Sequence, residues 1–341
     1  MHICRVIHLK VRDIHMLFSR DLGIDLGTSN TLVCDKKGRI VINEPSVVAV
    51  DVKSKRVVAT GSEAKLMIGR TPGSIVAVKP LKYGVIADFD MTSDMLRNFI
   101  YRSSKRNLFT RTRVVVSIPS NVTEVERRAV EDAVRSAGAQ EVELIEESMA
   151  AALGAGLPVF DATGSMVVNI GGGTCDIAVL SLGGVAACKS IKIGGDALDE
   201  TIVRYMKEKH DLLIGSNTAE DIKLKIGSAA SYDGEGAMEV KGRNLLNGLP
   251  KSVEVTSAQI REALSAPIAE IIDAIIQTLE VTLPELSADI IDKGIYLTGG
   301  ACQLRGLSGL IAKETGIEVH IPENPSECVA IGTSIKLRRA K

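Results

Sequence analysis

Tryptophan is absent from the 341-residue chain, and aromatic residues make up only 3% of it. Platforms for stacking unpaired bases are therefore scarce. A formal net charge of -1 leaves no basic surface covering the whole protein, so no nucleic-acid partner is expected. No apolar run approaches the ~20 residues needed to span a bilayer. The six cysteines (Cys4, Cys34, Cys175, Cys188, Cys302, Cys328) are scattered, with no C-x-x-C pair. That pattern fits reduced thiols in a cytosolic protein better than a disulfide framework or a zinc site. His2, His8 and His15 lie in the first segment and His210 and His320 far from it, which leaves no metal-ligating cluster. No Ser/His/Asp or Cys/His hydrolase motif stands out.

What is present is an ordinary globular composition, 45% hydrophobic and 24% charged, in a chain long enough for two domains with sizeable cores. Its most informative stretch is Met166–Leu180, MVVNIGGGTCDIAVL. Two apolar runs around a glycine-rich turn predict a β-hairpin. Gly171, Gly172 and Gly173 are more glycines than a hairpin needs. Their bare backbone suits either a phosphate chain or a tight bulged turn without a ligand. Leu22–Val33, LGIDLGTSNTLV, has the same layout, with Ile24-Asp25-Leu26-Gly27 matching Val168-Asn169-Ile170-Gly171. Repetition of this unit implies two related halves whose turns clamp one polyphosphate between them.

Residues 1–19 mix Arg5, Lys10, Arg12 with Ile3, Val6, Ile7 and Leu9. They read either as a basic segment lying on a membrane surface or as an extension without fixed structure, in which case Met16 would serve as a start. Strand-like runs follow to Val50, then a mixed segment, 51–90, that reads as a small inserted subdomain. Around Leu108 and Phe109 sit Lys105, Arg106, Arg111 and Arg113. The two apolar residues either tuck into the core or enter a membrane interface while the cations meet anionic headgroups. Thr123 and Glu126 form a capping box for a helix ending at Gly138. Glu146 and Glu147 precede another helix, where they either favour its N-terminus or position a water before a γ-phosphate. Glu220 and Lys223 share a helix face; they form either a solvated ion pair or contacts to ribose and adenine. A long helix from Thr256 to about Leu283 is expected to break at Pro267. Gly294–Ala301 is a strand entering a third glycine turn, and Gly332 allows close packing of a last helix.

Three glycine turns, DLGTSN, NIGGGTCD and LTGGA, together with EESMAAALGAG and CVAIGT, resemble the nucleotide-cleft motifs of the actin, hexokinase and Hsp70 superfamily. NEPSVVAVD, IGRTPGSIVAVKPLKYGVIADFDMT, VERRAVEDAV, TAEDIKLKIG, LPELSADIIDKG and NPSECVAIGT resemble the MreB/Mbl group of rod-shape-determining bacterial actins, and GGDALDE is nearest to its MreBH branch. The resemblance runs from Met16 onward. It implies an α/β, actin-like ATPase fold: two duplicated α/β domains, each with a smaller inserted subdomain. Residues 20–50, 91–165 and 330–341 would form subdomain IA, 51–90 IB, 166–196 and 258–329 IIA, and 197–257 IIB. ATP and Mg²⁺ would lie between the halves. By motif, Thr28, Ser29 and Asn30 would cradle the terminal phosphates, with Gly172, Gly173 and Thr174 as the second phosphate turn. Glu220, Asp221, Ile222 and Lys223, with Gly299, Gly300, Ala301 and Cys302, would hold ribose and adenine. Glu147 matches the water-activating glutamate, Asp25 lies near the metal, and Asn169 would reach it through water. Leu108 and Phe109 match a membrane-inserting loop.

The family's members form paired antiparallel protofilaments on the inner membrane face and guide cell-wall synthesis. The implied partners are therefore the chain itself, inner-membrane lipid, the membrane cell-shape proteins MreC, MreD, RodZ and RodA, and enzymes of cell-wall synthesis or hydrolysis. The implied location is cytoplasmic and peripheral on that membrane. The sequence departs from the pattern at Asn169, where the hairpin normally has Asp, at Ser148 for proline, and in TGGACQL for TGGGALL. Asn169 removes a charge near Mg²⁺ and predicts weakened hydrolysis. A sugar or acetate kinase on the same fold is the alternative, although no acceptor site is visible. An Hsp70-like chaperone would need a substrate domain that the chain has no room for.

Overall fold

The computed structural model describes residues 19–103 and 111–339. The expected N-terminal extension and the Leu108–Phe109 loop lie outside the described residues.

Two five-stranded sheets repeat one topology. In the first, the order is Glu141–Glu146, Arg111–Ile118, Ser19–Leu26, Asn30–Asp35, Ile40–Pro45. In the second it is Gly184–Ile191, Cys175–Ser181, Ser165–Ile170, Ile295–Thr298, Val319–His320. Each half opens with an antiparallel hairpin, Ser19–Leu26 with Asn30–Asp35 and Ser165–Ile170 with Cys175–Ser181. A parallel strand flanks each first strand on its other side. These first strands are buried on both faces, which is why they read as apolar runs rather than alternating ones.

Each half carries a small sheet. Val48–Asp51, Val57–Thr60 and Ile75–Val78 form one, and Leu212–Leu213, Ala237–Asn244 and Pro250–Thr256 the other. All seven expected boundaries (19/20, 50/51, 90/91, 165/166, 196/197, 257/258 and 329/330) fall inside elements, each within two residues of an element's end. The 50/51 boundary cuts strand Val48–Asp51, and the 196/197 boundary cuts helix Gly195–His210.

A central core joins the sheets. Val115 and Ile145 from the first meet Val167, Ala178 and Leu180 from the second, through Ala150, Ala151, Ala152, Val329 and Leu337. Those last residues sit on helices Glu147–Gly154 and Cys328–Arg339, which cross at backbone contact. A Cβ on Gly154 would stand 1.8 Å from the Cys328 carbonyl oxygen, and one on Gly332 1.8 Å from that of Ala150. The close packing expected of Gly332 is thus reciprocal.

Helix Glu124–Ser136 has its capping box at Thr123 and Glu126. Helix Ser257–Glu280 corrects an expectation, because it continues through Pro267. Proline removes one helical hydrogen bond there. Buried Ile260, Leu264, Ile268, Ile271 and Ile275 on both sides of it supply the packing that holds the helix together. No described helix is long and apolar enough to cross a membrane.

Candidate functional site

The two hairpin turns face each other at a distance only glycine allows. A Cβ on Gly172 would lie 2.2 Å from Ser29 Oγ, and one on Gly173 2.4 Å from Thr28 Oγ1. The Gly84 N–H donates to Thr28 Oγ1 at 2.8 Å, fixing that hydroxyl. The third turn closes the same space. Gly299 adopts φ 83°, its Cβ position is occupied by the Ile170 carbonyl at 2.3 Å, and its N–H donates to the Pro325 carbonyl. Positive φ and this approach both require glycine.

Together the turns line a cleft of about 300 Å³. Of the residues singled out by sequence, Asp25, Thr28, Ser29, Asn30, Glu147, Asn169, Gly172, Gly173, Thr174, Glu220, Lys223, Gly299, Gly300 and Ala301 all line it. Asp221, Ile222 and Cys302 do not. Helix Ser216–Ile226 turns Glu220 and Lys223 to the cleft, Ile222 into the core and Asp221 to solvent. Four consecutive helical residues cannot share one face. Cys302, in the short 3₁₀ turn Gly300–Gln303, is buried in the second half's core.

Acidic groups gather at the floor. Ser117 Oγ donates to Asp25 Oδ1 at 3.0 Å, and burial pushes the Asp25 carboxyl up to about 6. Asn169 accepts from Thr298 Oγ1 at 3.1 Å and its Nδ2 donates to Glu147 Oε2 at 3.4 Å. Burial, followed by the charges of Asp176 and Asp25, holds Glu147 well above the carboxylate range, and burial raises Asp176 too. Among the described residues, no ion pair to a lysine, arginine or histidine is seen for any of these three carboxylates. Burial without a paired cation favours the protonated form of each, and among the described residues no group of three or more His, Cys, Asp or Glu is arranged to hold a metal ion.

Sequence reasoning missed Asp196, Asp199 and Lys79. The start of helix Gly195–His210 docks on the second glycine turn, where the Gly195 and Asp196 N–H groups donate to the carbonyls of Gly171 and Gly172. Asp196 Oδ1 then accepts from Ser29 Oγ at 2.8 Å, and both its oxygens accept from Lys79 Nζ at 2.8 Å. Lys223 Nζ pairs with Asp199 at 2.8 Å and donates to the Gly195 carbonyl. Burial lifts Asp199 to about 6 although Lys223 opposes it. The Gly194-Gly195-Asp196 turn is visible in the sequence, but nothing there ties it to Ser29.

The MreB/Mbl protein family profile matches residues 19–341. The chain is 48% identical over 321 residues to the cell shape-determining protein Mbl of Bacillus subtilis, spanning 94% of this chain and 96% of that one. It is 51% identical over 322 residues to the cell shape-determining protein MreB of Escherichia coli, spanning 93% and 92%. Among solved structures, MreB5 of Spiroplasma citri bound to ADP superposes with a TM-score of 0.89 at 36% identity, over 94% of this chain and 96% of that one. The fold is the actin-like ATPase fold, and the chain belongs to the MreB/Mbl family.

Proposed function

We propose that this chain binds ATP with Mg²⁺ between its two halves, polymerises on the inner membrane face and organises cell-wall synthesis to maintain rod shape. The observation that carries this reading is the pair of facing glycine turns, Gly172 and Gly173 against Ser29 and Thr28, which line one cleft with bare backbone suited to a phosphate chain. Support comes from the relatives named for cell shape and from MreB5, whose structures hold ADP and AMPPNP. Exposed Leu246 and Leu249, at the turn between strands Ala237–Asn244 and Pro250–Thr256, add apolar surface suited to self-association. Membrane cell-shape proteins and cell-wall enzymes are the proposed partners, and MreBH the proposed branch.

Glycine N–H groups with Thr28, Asn30 and Thr174 would meet the phosphates. The Ser29 hydroxyl donates to Asp196, and it would have to give up that contact to donate to a phosphate. Glu220 and Lys223 would face the ribose, and Gly299, Gly300 and Ala301 the adenine. Glu147 would accept the proton of the attacking water, its carboxylate oriented by the Asn169 amide. Asp25 and Asn169 would hold Mg²⁺ through water, alongside Asp176. The ion supplies neutralisation of phosphate charge. With Asn169 donating a neutral amide to Glu147 where a fourth carboxylate would otherwise stand, turnover is expected to be slow.

Sedimentation with ATP and phosphate release, measured on one sample, tests the reading. Polymer with slow release is expected, and phosphotransfer to a small hydroxyl or carboxylate acceptor without polymer would overturn it. Peripheral membrane attachment is tested separately. Replacing Leu108 and Phe109 by serine should reduce liposome co-sedimentation while ATP binding persists; unchanged co-sedimentation would move the anchor to the first 19 residues.

A further inference from the structure

Two ion pairs cross from the first half to the second at the mouth of the cleft. Both cations come from the small inserted subdomain, Lys65 on helix Ser62–Met67 and Lys79 just after strand Ile75–Val78. Both acids belong to the facing helices of the second half. Lys65 Nζ lies 2.7 Å and 3.0 Å from the two Glu220 oxygens. Lys79 Nζ lies 2.8 Å from both oxygens of Asp196. Asp196 is also bound by Ser29 of the first half's glycine turn, a link across 167 positions of sequence. One acid is thereby tied to two separate parts of the opposite half.

The charges are segregated by side: the two lysines stand on the inserted subdomain and their partners on the other half. Coulomb attraction across the mouth therefore draws the halves together. Each contact joins two protein side chains, and both acids line the cleft itself. Parting the two halves at this edge separates both pairs. The side chains are between about one quarter and two fifths exposed, so each pair is of the partly screened kind and individually modest.

We propose that Lys65–Glu220 and the Ser29–Asp196–Lys79 cluster form an electrostatic clasp that sets the rate at which nucleotide enters and leaves. The inference rests on the nucleotide-cleft reading above and adds its regulation. Because the clasp is protein to protein, loosening it speeds entry and release together and leaves affinity nearly constant. Lysines that merely contacted bound phosphate would behave differently, raising release and Kd in step.

The test is stopped-flow mixing of the full chain with a fluorescent ATP analogue and Mg²⁺, followed by chase with unlabelled ATP, at low and high ionic strength. Lys65→Ala with Lys79→Ala should accelerate both entry and release by about two- to thirtyfold, the range two partly exposed pairs supply. Kd should change by less than about threefold, and Lys79→Arg should stay close to the wild type. Wild-type exchange should also quicken with salt, and the double variant should lose most of that dependence. Equal rates for the wild type and the double variant would overturn the clasp while leaving the nucleotide site standing. A rise in release matched by Kd would overturn it in favour of direct contacts. If the wild type fails to bind the analogue, the nucleotide reading falls and the clasp with it.

Discussion

Asp25 and Asn169 occupy the same place in the two halves of the molecule. Each sits near the end of the first strand of its sheet, two residues before the glycine that opens the turn. Each accepts a hydrogen bond from a hydroxyl on the parallel neighbour strand, Ser117 at 3.0 Å for Asp25 and Thr298 at 3.1 Å for Asn169. Geometry has been kept across the duplication and charge has not. Asp25 carries a carboxyl that burial lifts to about 6, whereas Asn169 offers an amide that reaches Glu147 as a donor. On the proposed reading, the first half would supply charge for a cation and the second would supply orientation for a base.

The largest test breaks the contact between the halves. Gly172→Ala places a methyl on Ser29, and nucleotide affinity should fall about ten- to hundredfold, as expected for overpacking at a site that cannot relax. Titration with a labelled nucleotide measures it, and unchanged affinity would mean that the turns need not touch. Next, Asp25→Asn makes the halves alike in charge. Mg²⁺-dependent nucleotide binding should weaken by about tenfold or more, while binding measured in EDTA moves little. Asn169→Asp makes them alike in the other direction. It should raise phosphate release several-fold at saturating Mg²⁺, and an unchanged or lower rate would refute the charge argument.

The smallest effect concerns stability. Between the ordinary value of 3.8 and about 6 the folded Asp25 keeps a proton that the unfolded chain has lost. The folded state then binds more protons, so this group's contribution to stability falls as pH rises through that window. Nucleotide-free wild type and Asp25→Asn should therefore melt together near pH 4. The variant should melt a few degrees higher above about pH 6, as calorimetry without divalent cations would reveal.

Much of this architecture is legible in sequence because it is local. Three glycine turns, the Thr123–Glu126 capping box and the small residue at Gly332 each announce themselves within a few positions. Phase is less legible. Glu220 and Lys223 face the cleft while Ile222 points into the core, because a motif copied as a block ignores the turn of its helix. Pro267 reads as a break only where packing is ignored. The Ser29–Asp196–Lys79 cluster is the hardest to foresee, since its members come from separate stretches with no shared pattern. The burial of Asp176 beside Glu147 is similarly set by the folding of one hairpin over another element.

The crossing of helices Glu147–Gly154 and Cys328–Arg339 has a consequence for biosynthesis. Glu147 begins a helix whose opposite wall is made by residues 328–339, at a separation where neither Gly154 nor Gly332 can bear a methyl. On the ribosome the first of these helices emerges long before the second. Until the later one arrives, Ala150, Ala151 and Ala152 can pack on Val115, Val167, Ala178 and Leu180 but lack the wall that Val329 and Leu337 supply. A nascent chain can thus form both sheets before the wall of helix Glu147–Gly154 is complete.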